Sequence, residues 1–367
     1  MSNNIPKELI PSDPRFGCGP SMIPLNHVDS LAATRNKLLG TSHRKSAVKN
    51  LVKEVQVGIA KYFNVPSDYE IVIGNGGATL FFDMLALGAV KEKVLHHVCG
   101  EFSSKWYLSS KAVPWIEAEK LEVPFGEGLQ IESRDGFDTI CATLNETSTG
   151  VIFNNLPDVD DQTIICIDAT SGAGQVECDI TKTDIFFFSP QKVFASEGGL
   201  WIAIMSPKAL KRVEEIENLD RYIPPFFSFK TAVTNSQKNQ TYNTPASSTL
   251  FLLNEQIKLM NKSTYKEVVA VSKKKAALLY NWANEKSYLS AYIKDPQYQS
   301  YSVATIDVDE NVDVTAILKD LDDKFIVHGI DSYRKLGRNQ FRISMFYNNS
   351  YEDLEKLTKL LSYIIEK

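Results

Sequence analysis

The strongest candidate for covalent chemistry in this sequence is a lysine that follows a short apolar run. Ile185–Phe188 is followed by Ser189-Pro190-Gln191-Lys192. A run of this kind predicts a buried strand, and open α/β sheets bind ligands beyond the carboxyl ends of their strands. A lysine between apolar walls can lose its proton and form a Schiff base as a nucleophilic amine. Taken alone, the pattern fits a solvated surface lysine better.

A carboxylate at the end of a second apolar run strengthens this interpretation. Ile164–Asp168 carries apolar residues up to Asp168, and a buried carboxylate is costly without a partner. The protonated ring nitrogen of pyridoxal phosphate is such a partner, and the ring can then accept electrons from a substrate carbanion. Asp168 alone could instead cap the following turn. Asp168 and Lys192 together favour a pyridoxal phosphate site.

A glycine-containing segment is the third candidate. Ile73-Gly74-Asn75-Gly76-Gly77-Ala78-Thr79 leads into a helical pattern, and glycines before a helix let backbone N–H groups approach a phosphate. No Gly-Lys-Ser/Thr follows, so this is not a Walker A loop. Thr79 stands where a dinucleotide-binding motif needs its last glycine. A phosphate cradle and a plain tight turn are equally consistent with the segment.

Two hydrophobic periodicities show which elements position these residues. Residues 46–63 repeat apolar positions at helical spacing, while 70–73, 94–99, 139–144, 164–168, 184–189 and 200–205 are short apolar runs typical of buried strands. Alternating strands and helices predict an α/β layered domain on a largely parallel sheet. From residue 247 to about 284 one long helical segment is expected, followed by an α+β pattern. Ser350 with Asp353 predicts an acidic capping box before the last helix.

Composition excludes several classes of protein. The 367 residues carry 40 Lys+Arg and 45 Asp+Glu, a net charge of −5, so nucleic acid is not expected as a partner. The hydrophobic content of 43% excludes a disordered chain. The start lacks a signal-peptide pattern, apolar runs are too short to span a membrane, and the 5 cysteines form no C-x-x-C pair. We therefore expect a cytoplasmic protein with no membrane partner and no metal site.

Nearly the whole chain, including the residues discussed above, resembles the phosphoserine aminotransferases, which are class V, fold-type-I pyridoxal phosphate enzymes. The resemblance is nearest to the actinobacterial-type branch. It rests on motifs that occur in family order: Arg15-Phe16-Gly17-Cys18-Gly19-Pro20-Ser21, Gly40-Thr41-Ser42-His43-Arg44, Asn145-Glu146-Thr147-Ser148-Thr149-Gly150, Asp168-Ala169-Thr170-Ser171-Gly172, Gln191-Lys192, Asn239-Gln240-Thr241-Tyr242-Asn243-Thr244-Pro245, Tyr333-Arg334-Lys335-Leu336-Gly337-Arg338 and Arg342-Ile343-Ser344-Met345-Phe346.

The resemblance implies a domain organisation as well as a fold. A large cofactor domain with a mostly parallel seven-stranded sheet would span residues 17–258. A smaller C-terminal α+β domain would span 259–367, with the segment 1–16 packed on it. The family relationship also implies a homodimer with shared active sites.

The resemblance also assigns cofactor-binding roles by position. Lys192 would hold pyridoxal 5'-phosphate covalently and act as general base, and Asp168 would pair with the ring nitrogen. The remaining cofactor contacts would come from Ala78, Thr79, Phe102, Thr147, Gln191, Asn243 and Thr244. Asn243 and Thr244 would reach the phosphate from the neighbouring subunit. Phe102 and Ala78 depart from the family, which usually carries Trp and often Arg there.

For substrates, the resemblance implies glutamate and 3-phosphohydroxypyruvate, converted to 2-oxoglutarate and O-phosphoserine in serine biosynthesis. Vitamin B6 synthesis, through 4-phosphohydroxythreonine, is a further implied role. Arg342 would bind the α-carboxylate, and His43, Arg44 and Arg334 would bind the distal phosphate or carboxylate. Tyr333 replaces the histidine that commonly precedes that arginine.

Other readings keep the fold and change the activity. An alanine–glyoxylate or serine–pyruvate aminotransferase has little use for the predicted anion cluster. A desulfurase needs a catalytic cysteine in a flexible loop, and none is evident. An inactive paralogue that only binds ligands is disfavoured because Lys192, Asp168 and the cations are all present. A nucleotide-binding enzyme is disfavoured by the broken glycine motifs.

Overall fold

Short runs rich in Ile, Val or Phe form most strands of a seven-stranded sheet in the computed structural model, which describes residues 5–367. These residues form twelve strands in all, in three sheets. The strands are β1 (Glu70–Asn75), β2 (Lys93–Val98), β3 (Glu117–Glu122), β4 (Thr139–Thr143), β5 (Asn145–Glu146), β6 (Val151–Ile152), β7 (Ile164–Asp168), β8 (Ile185–Phe188), β9 (Leu200–Met205), β10 (Leu289–Ala291), β11 (Val303–Val308) and β12 (Gln340–Ser344). The helices are α1 (Leu25–Thr34), α2 (Ser46–Phe63), α3 (Ala78–Gly88), α4 (Glu101–Lys111), α5 (Pro207–Glu217), α6 (Phe229–Ser236), α7 (Ser247–Met260), α8 (Tyr265–Glu285), α9 (Val314–Asp323) and α10 (Tyr351–Ile365).

The large sheet has the order β1-β9-β8-β7-β4-β2-β3. Only the pairings of β9 with β1 and with β8 are antiparallel, and the other pairings are parallel. This confirms the expected mostly parallel seven-stranded sheet. Because β7 and β8 run in the same direction, with Asp168 opposite Phe187, Asp168 and the residues after Phe188 meet at one edge.

Both faces of this sheet are covered, which is why its central strands are apolar throughout. Phe186 and Phe188 of β8 belong to the core under α2 and α7. Ile185 and Phe187 face the opposite core, which includes residues of α3 and Trp106 of α4. Alternate residues of β8 therefore pack against helices on both faces of the sheet. The carboxyl edge of the sheet is then the place where a ligand can bind.

A second, antiparallel sheet of β10, β11 and β12 packs with α8, α9 and α10 around its own core. The N-terminal segment joins this core. Phe16 is buried in it, and Ser12 donates to both carboxylate oxygens of Asp353, at 2.6 and 2.7 Å. Residues 1–4 of the segment predicted to pack here lie outside the described residues, and the boundary at 258/259 stays a prediction.

Two local predictions need correction. The expected helical segment from 247 to about 284 is two helices, α7 and α8, because Thr264 and Glu267 form a capping box that starts a new helix. Before α10, Ser350 does accept the N–H of Asp353, but the Asp353 carboxylate binds Ser12 instead of returning to the cap. Among the described helices, none is both long and apolar enough to span a membrane.

Candidate active site

Seven of the nine predicted cofactor residues line one pocket of about 200 Å³ at the carboxyl edge of the large sheet. Among the residues that the sequence predicted, the pocket lining includes Ala78, Thr79, Phe102, Thr147, Asp168, Gln191 and Lys192. They come from five separate places: the start of α3, the start of α4, the turn after β5, the end of β7 and the turn after β8. The sheet topology therefore assembles residues that are far apart in sequence.

Lys192 is held in the pocket by the main chain. Its Nζ donates to the carbonyl oxygen of Cys18, and Ser21 Oγ donates to the carbonyl of Lys192 itself. Burial lowers the pKa of the Lys192 ammonium to about 8, and the nearby Arg342 charge acts in the same direction. A larger fraction of neutral amine is therefore present near neutral pH than for an ordinary lysine, which favours attack on an aldehyde.

Asp168 ends β7 inside the same pocket. Burial raises its pKa to about 6, although the backbone N–H of Thr170 donates to its Oδ1 at 2.9 Å and opposes the shift. The Glu146 carboxylate also raises this pKa, while Lys192 lowers it. A buried carboxyl with so few charge partners is poised to bind a cation, such as a protonated ring nitrogen.

The glycine segment after β1 forms a cradle at the N-terminus of α3. Gly76 and Gly77 have φ values of 126° and 91°, conformations that L side chains rarely adopt. Among the described residues, no side chain caps α3, and its first two residues, Ala78 and Thr79, line the pocket. Uncapped first-turn amides at the positive end of a helix dipole bind phosphate.

The pocket also contains polar atoms that could form hydrogen bonds with a ligand. Within residues 5–367, Gln191 Oε1 is buried without a hydrogen-bond partner, although its side chain lines the pocket. Thr147 Oγ1 lies at the pocket and donates to Ser171 Oγ at 2.7 Å. With an amine, a carboxyl, an aromatic face and a phosphate cradle in one cavity, these residues fit pyridoxal phosphate.

The predicted substrate-binding residues His43, Arg44, Arg334 and Arg342 are not part of the pocket lining. Arg342 is the best anchored: its Nη1 donates to the Thr147 carbonyl at 3.2 Å, and its Nε donates to the Asp331 carbonyl at 3.4 Å. Its guanidinium carbon also lies 5.3 Å from the centre of the Tyr333 ring. Arg44 and Arg334 are exposed to solvent.

Asn243 and Thr244, predicted to touch the phosphate, are likewise outside the pocket lining. Their loop contacts Asn75, the last residue of β1, whose side-chain nitrogen donates to Asn243 Oδ1 and to the Thr244 carbonyl. His43 Nδ1 lies 3.2 Å from Thr244 Oγ1. The structure therefore groups His43 and Thr244 together, next to the segment that leads into the phosphate cradle.

Sequence reasoning did not assign roles to three groups that the structure places here. These are the Cys18 carbonyl, the Thr170 hydroxyl and the buried Glu146 carboxylate, which accepts hydrogen bonds at the start of α4. All three belong to motifs on which the family resemblance rests. Their side-chain types alone gave no signal, because a main-chain carbonyl and a helix-capping contact depend on the fold.

Comparisons with known proteins agree with this geometry. The profile of the family described as Aminotransferase class-V matches residues 17–357. A phosphoserine aminotransferase from Corynebacterium glutamicum (strain R) is 43% identical over 99% of this chain and 97% of the relative. The crystal structure of a phosphoserine aminotransferase from Cytophaga hutchinsonii has a TM-score of 0.88 at 24% identity, covering 96% of this chain and 99% of that one. A pyridoxal-phosphate-bound phosphoserine aminotransferase from Trichomonas vaginalis has a TM-score of 0.81 at 21% identity, covering 95% and 99%.

Proposed function

We propose a specific amino transfer for this chain, which belongs to the class V aminotransferase family and, within it, to the phosphoserine aminotransferases. It is a pyridoxal-phosphate-dependent transaminase. The proposed reaction moves the amino group of L-glutamate to 3-phosphohydroxypyruvate and yields 2-oxoglutarate and O-phospho-L-serine.

One observation carries the proposal. A lysine with a pKa lowered to about 8 and a carboxyl with a pKa raised to about 6 share a pocket with an uncapped helix N-terminus. These are the three groups that a pyridine aldehyde phosphate needs for its carbonyl, its ring nitrogen and its phosphate.

The residues that would hold the cofactor follow from this arrangement. Lys192 supplies the amine, and Asp168 accepts a hydrogen bond from the protonated ring nitrogen. Phe102 would cover one face of the ring, and the Thr147 hydroxyl would hydrogen-bond the ring hydroxyl. The amides of Ala78 and Thr79, together with Gln191, bind the phosphate. Bound pyridoxal phosphate supplies an aldehyde that condenses with amines and a ring that accepts an electron pair.

Lys192 has a second task once a substrate amine has taken its place. The neutral Lys192 amine would take the proton from the substrate Cα, and the resulting ammonium could give a proton back, so one residue would serve as general base and then as general acid. Its lowered pKa suits both steps, because the amine must be neutral to accept the proton and must release it again near neutral pH.

Anion recognition would select the substrates. Arg342 would bind the α-carboxylate, since carbonyl acceptors on two segments already fix its guanidinium and leave donors free for a bidentate contact. His43, Arg44 and Arg334 would bind the distal phosphate of one substrate and the distal carboxylate of the other. Burial, and then the charge of Arg44, lower the pKa of His43.

A homodimer with shared active sites is part of the proposal. If Thr244 is supplied by the neighbouring subunit, its contact with His43 means that His43 and the adjacent Arg44 come with it. Tyr242, two residues before Thr244, is 48% exposed. Exposed aromatic side chains near an anion site are suited to burial against a second copy.

A cytoplasmic location also belongs to the proposal, since all 5 cysteines are unpaired.

The decisive experiment measures the coupled reaction of O-phosphoserine with 2-oxoglutarate, alongside alanine with glyoxylate, while visible absorbance reports bound cofactor. We expect strong preference for the phosphorylated donor, and loss of both absorbance and turnover in Lys192→Ala. Preference for alanine and glyoxylate would overturn the substrate assignment. Retention of both signals in Lys192→Ala would overturn the catalytic assignment.

A further inference from the structure

The buried carboxylate of Glu146 has no role in the reaction described so far. Glu146 ends the short strand β5 and is 0% exposed. A buried carboxylate is costly unless it is paired or accepts several hydrogen bonds, so its surroundings must supply donors. The donors lie at the start of α4, a helix that is far away in sequence.

The hydrogen bonds of Glu146 satisfy the first turn of α4. Its Oε1 accepts from the backbone N–H of Phe102 at 3.2 Å, and its Oε2 accepts from the backbone N–H of Ser103 at 2.9 Å. The hydroxyls of Ser103 and Ser148 add bonds of 2.9 and 2.7 Å. First-turn amides have no acceptor within their own helix, and the helix dipole favours a negative charge there. Glu146, at the end of β5, therefore caps the N-terminus of α4.

The fit between Glu146 and the helix start is tight. The residue before α4 is Gly100, and a Cβ added there would overlap the Glu146 side chain. The φ of Gly100 is 174°, extended backbone open to any residue, so it is the space for Glu146 that requires a glycine here. Glu146 thus has little freedom to move relative to α4.

Both neighbours of this carboxylate line the cofactor pocket. Phe102 is bonded to Glu146 through its backbone, and Thr147 follows Glu146 in the chain. We propose that Glu146 is a positioning residue that sets the aromatic face and the hydroxyl of the cofactor site with one carboxylate. This inference rests on the proposed function, in which Phe102 covers the cofactor ring and Thr147 contacts its edge.

The same helix start also reaches the predicted substrate side. Glu101 forms an ion pair with Lys335, next to Arg334, and the Phe102 ring lies 5.9 Å from the Tyr333 ring in an edge-to-face contact. A shift of the first turn of α4 would therefore also displace the loop that carries Arg334. We expect the larger effect on the cofactor, because the direct bonds of Glu146 are to the residues beside the ring.

Glu146→Gln tests the proposal with little change in shape. In the glutamine variant, an NH₂ group replaces one of the two carboxylate oxygens. It would face a backbone N–H of α4 and cannot accept its hydrogen bond, so we expect the start of α4, including Phe102, to shift. We expect the cofactor dissociation constant, measured by visible absorbance titration of the apoprotein, to rise about tenfold or more, the scale for losing a charged hydrogen bond. The visible circular dichroism of the bound cofactor should change as well. Glu177→Gln, an exposed carboxylate paired with Lys273, is the matched control and should keep the wild-type constant.

A purely structural cap would give a different result. It would lower the thermal stability of the apoprotein and of the loaded protein equally and leave the dissociation constant unchanged, because ligand affinity and stability are linked. That outcome overturns the proposal. If Glu146→Gln does not fold, Ser103→Ala removes a hydroxyl donor from the same oxygen and should raise the constant more modestly, by about threefold, while an unchanged constant in it overturns the proposal. Failure of the wild-type protein to bind pyridoxal phosphate would instead contradict the proposed function.

Discussion

Lys192 Nζ donates its hydrogen bond to the main-chain carbonyl of Cys18, so the proposed catalytic lysine is bonded to backbone that lies 174 residues earlier in the chain. The next residue, Gly19, has a φ of 128°, and a Cβ added there would overlap the Lys192 side chain. The absence of a side chain at Gly19 is therefore a condition for the position of the lysine.

Gly19→Ala should impair cofactor capture through this contact. We expect the rate at which visible absorbance develops, after apoprotein is mixed with pyridoxal phosphate, to fall by about tenfold or more, because Lys192 must move. Gly136→Ala is the matched control, since Gly136 also has a positive φ, 83°, but has nothing within 4 Å. It should lose about 1 kcal/mol of stability and keep the capture rate. Equal rates for the two variants would contradict the prediction.

The pKa of Lys192 predicts how capture depends on pH. Burial lowers this pKa to about 8, and only the neutral amine attacks an aldehyde. Below pH 8 the capture rate should fall by roughly tenfold for each pH unit, and above it the rate should level off. Stopped-flow absorbance between pH 6.5 and 10.5 measures the profile. A rate that keeps rising toward the pKa of an ordinary lysine would show that burial does not control the amine.

Asp168→Asn should separate cofactor binding from chemistry. Burial raises the pKa of Asp168 to about 6, and a bound ring cation would favour its charged form. The amide cannot stabilise that cation, so single-turnover transamination of glutamate should slow by about 100-fold or more while cofactor still binds.

Asp184→Asn is the control for Asp168→Asn. The Asp184 carboxylate is also buried, but it accepts from Ile165 N at 2.9 Å and from Ser206 Oγ at 2.7 Å, away from the pocket. Asp184→Asn should lower the melting temperature and leave the chemical step unchanged. If both variants slow the chemical step equally, Asp168 has no special role.

We expect the two arginines to bind opposite ends of the substrate: Arg342 the α-carboxylate and Arg334 the distal acidic group. Arg342→Lys should lower kcat/KM for every amino donor by about tenfold or more, because lysine cannot make the planar bidentate contact with the α-carboxylate. Arg334→Ala should lower kcat/KM for phosphoserine and glutamate but leave the slow reaction of alanine unchanged. Steady-state kinetics with the three donors measures both effects. A loss of alanine turnover in Arg334→Ala would contradict this division.

Shared active sites predict that two inactive variants can complement each other. Lys192→Ala removes the amine of its own subunit, and Arg44→Ala removes a cation that we expect to act across the dimer interface. Mixing and co-refolding the two variants should recover part of the wild-type activity, since one site of the mixed dimer keeps both residues. Recovery that fails although mixed dimers form would place Arg44 in the same site as its own Lys192.

Much of the large sheet was predictable because its strands are short, apolar and buried on both faces. The runs ending in Asp168 and Phe188 predicted two strand ends, and their parallel pairing brings Asp168 and the proposed catalytic Lys192 to the same edge of the sheet. Local rules were weaker where a side chain had two possible partners. Asp353 matches a capping box by spacing, yet its carboxylate binds Ser12, whose position depends on the N-terminal segment.

The site shows the same limit. The sequence indicated Lys192 and Asp168 through their chemistry, while Phe102 and Thr147 came only from family resemblance. Nothing in the residue types indicated that Glu146 would cap α4, because the contact joins segments more than forty residues apart and exists only after folding. Asn243 and Thr244 lie outside the single-chain pocket lining, and their role across a subunit interface stays a prediction.

The backbone that covers Lys192 has a consequence for how the protein is made. The segment before Cys18 is held by residues much later in the chain: Phe16 N donates to the His328 carbonyl at 3.1 Å, and Ser344 N donates to the Phe16 carbonyl at 3.0 Å. During synthesis, all strands of the large sheet are available once β9 has left the ribosome. At that point β12, whose Ser344 binds the Phe16 carbonyl, has not yet been made. The nascent chain therefore carries Lys192, the proposed catalytic lysine, without its final backbone contact until residue 344 emerges, and we expect cofactor capture on the ribosome to be delayed to that point.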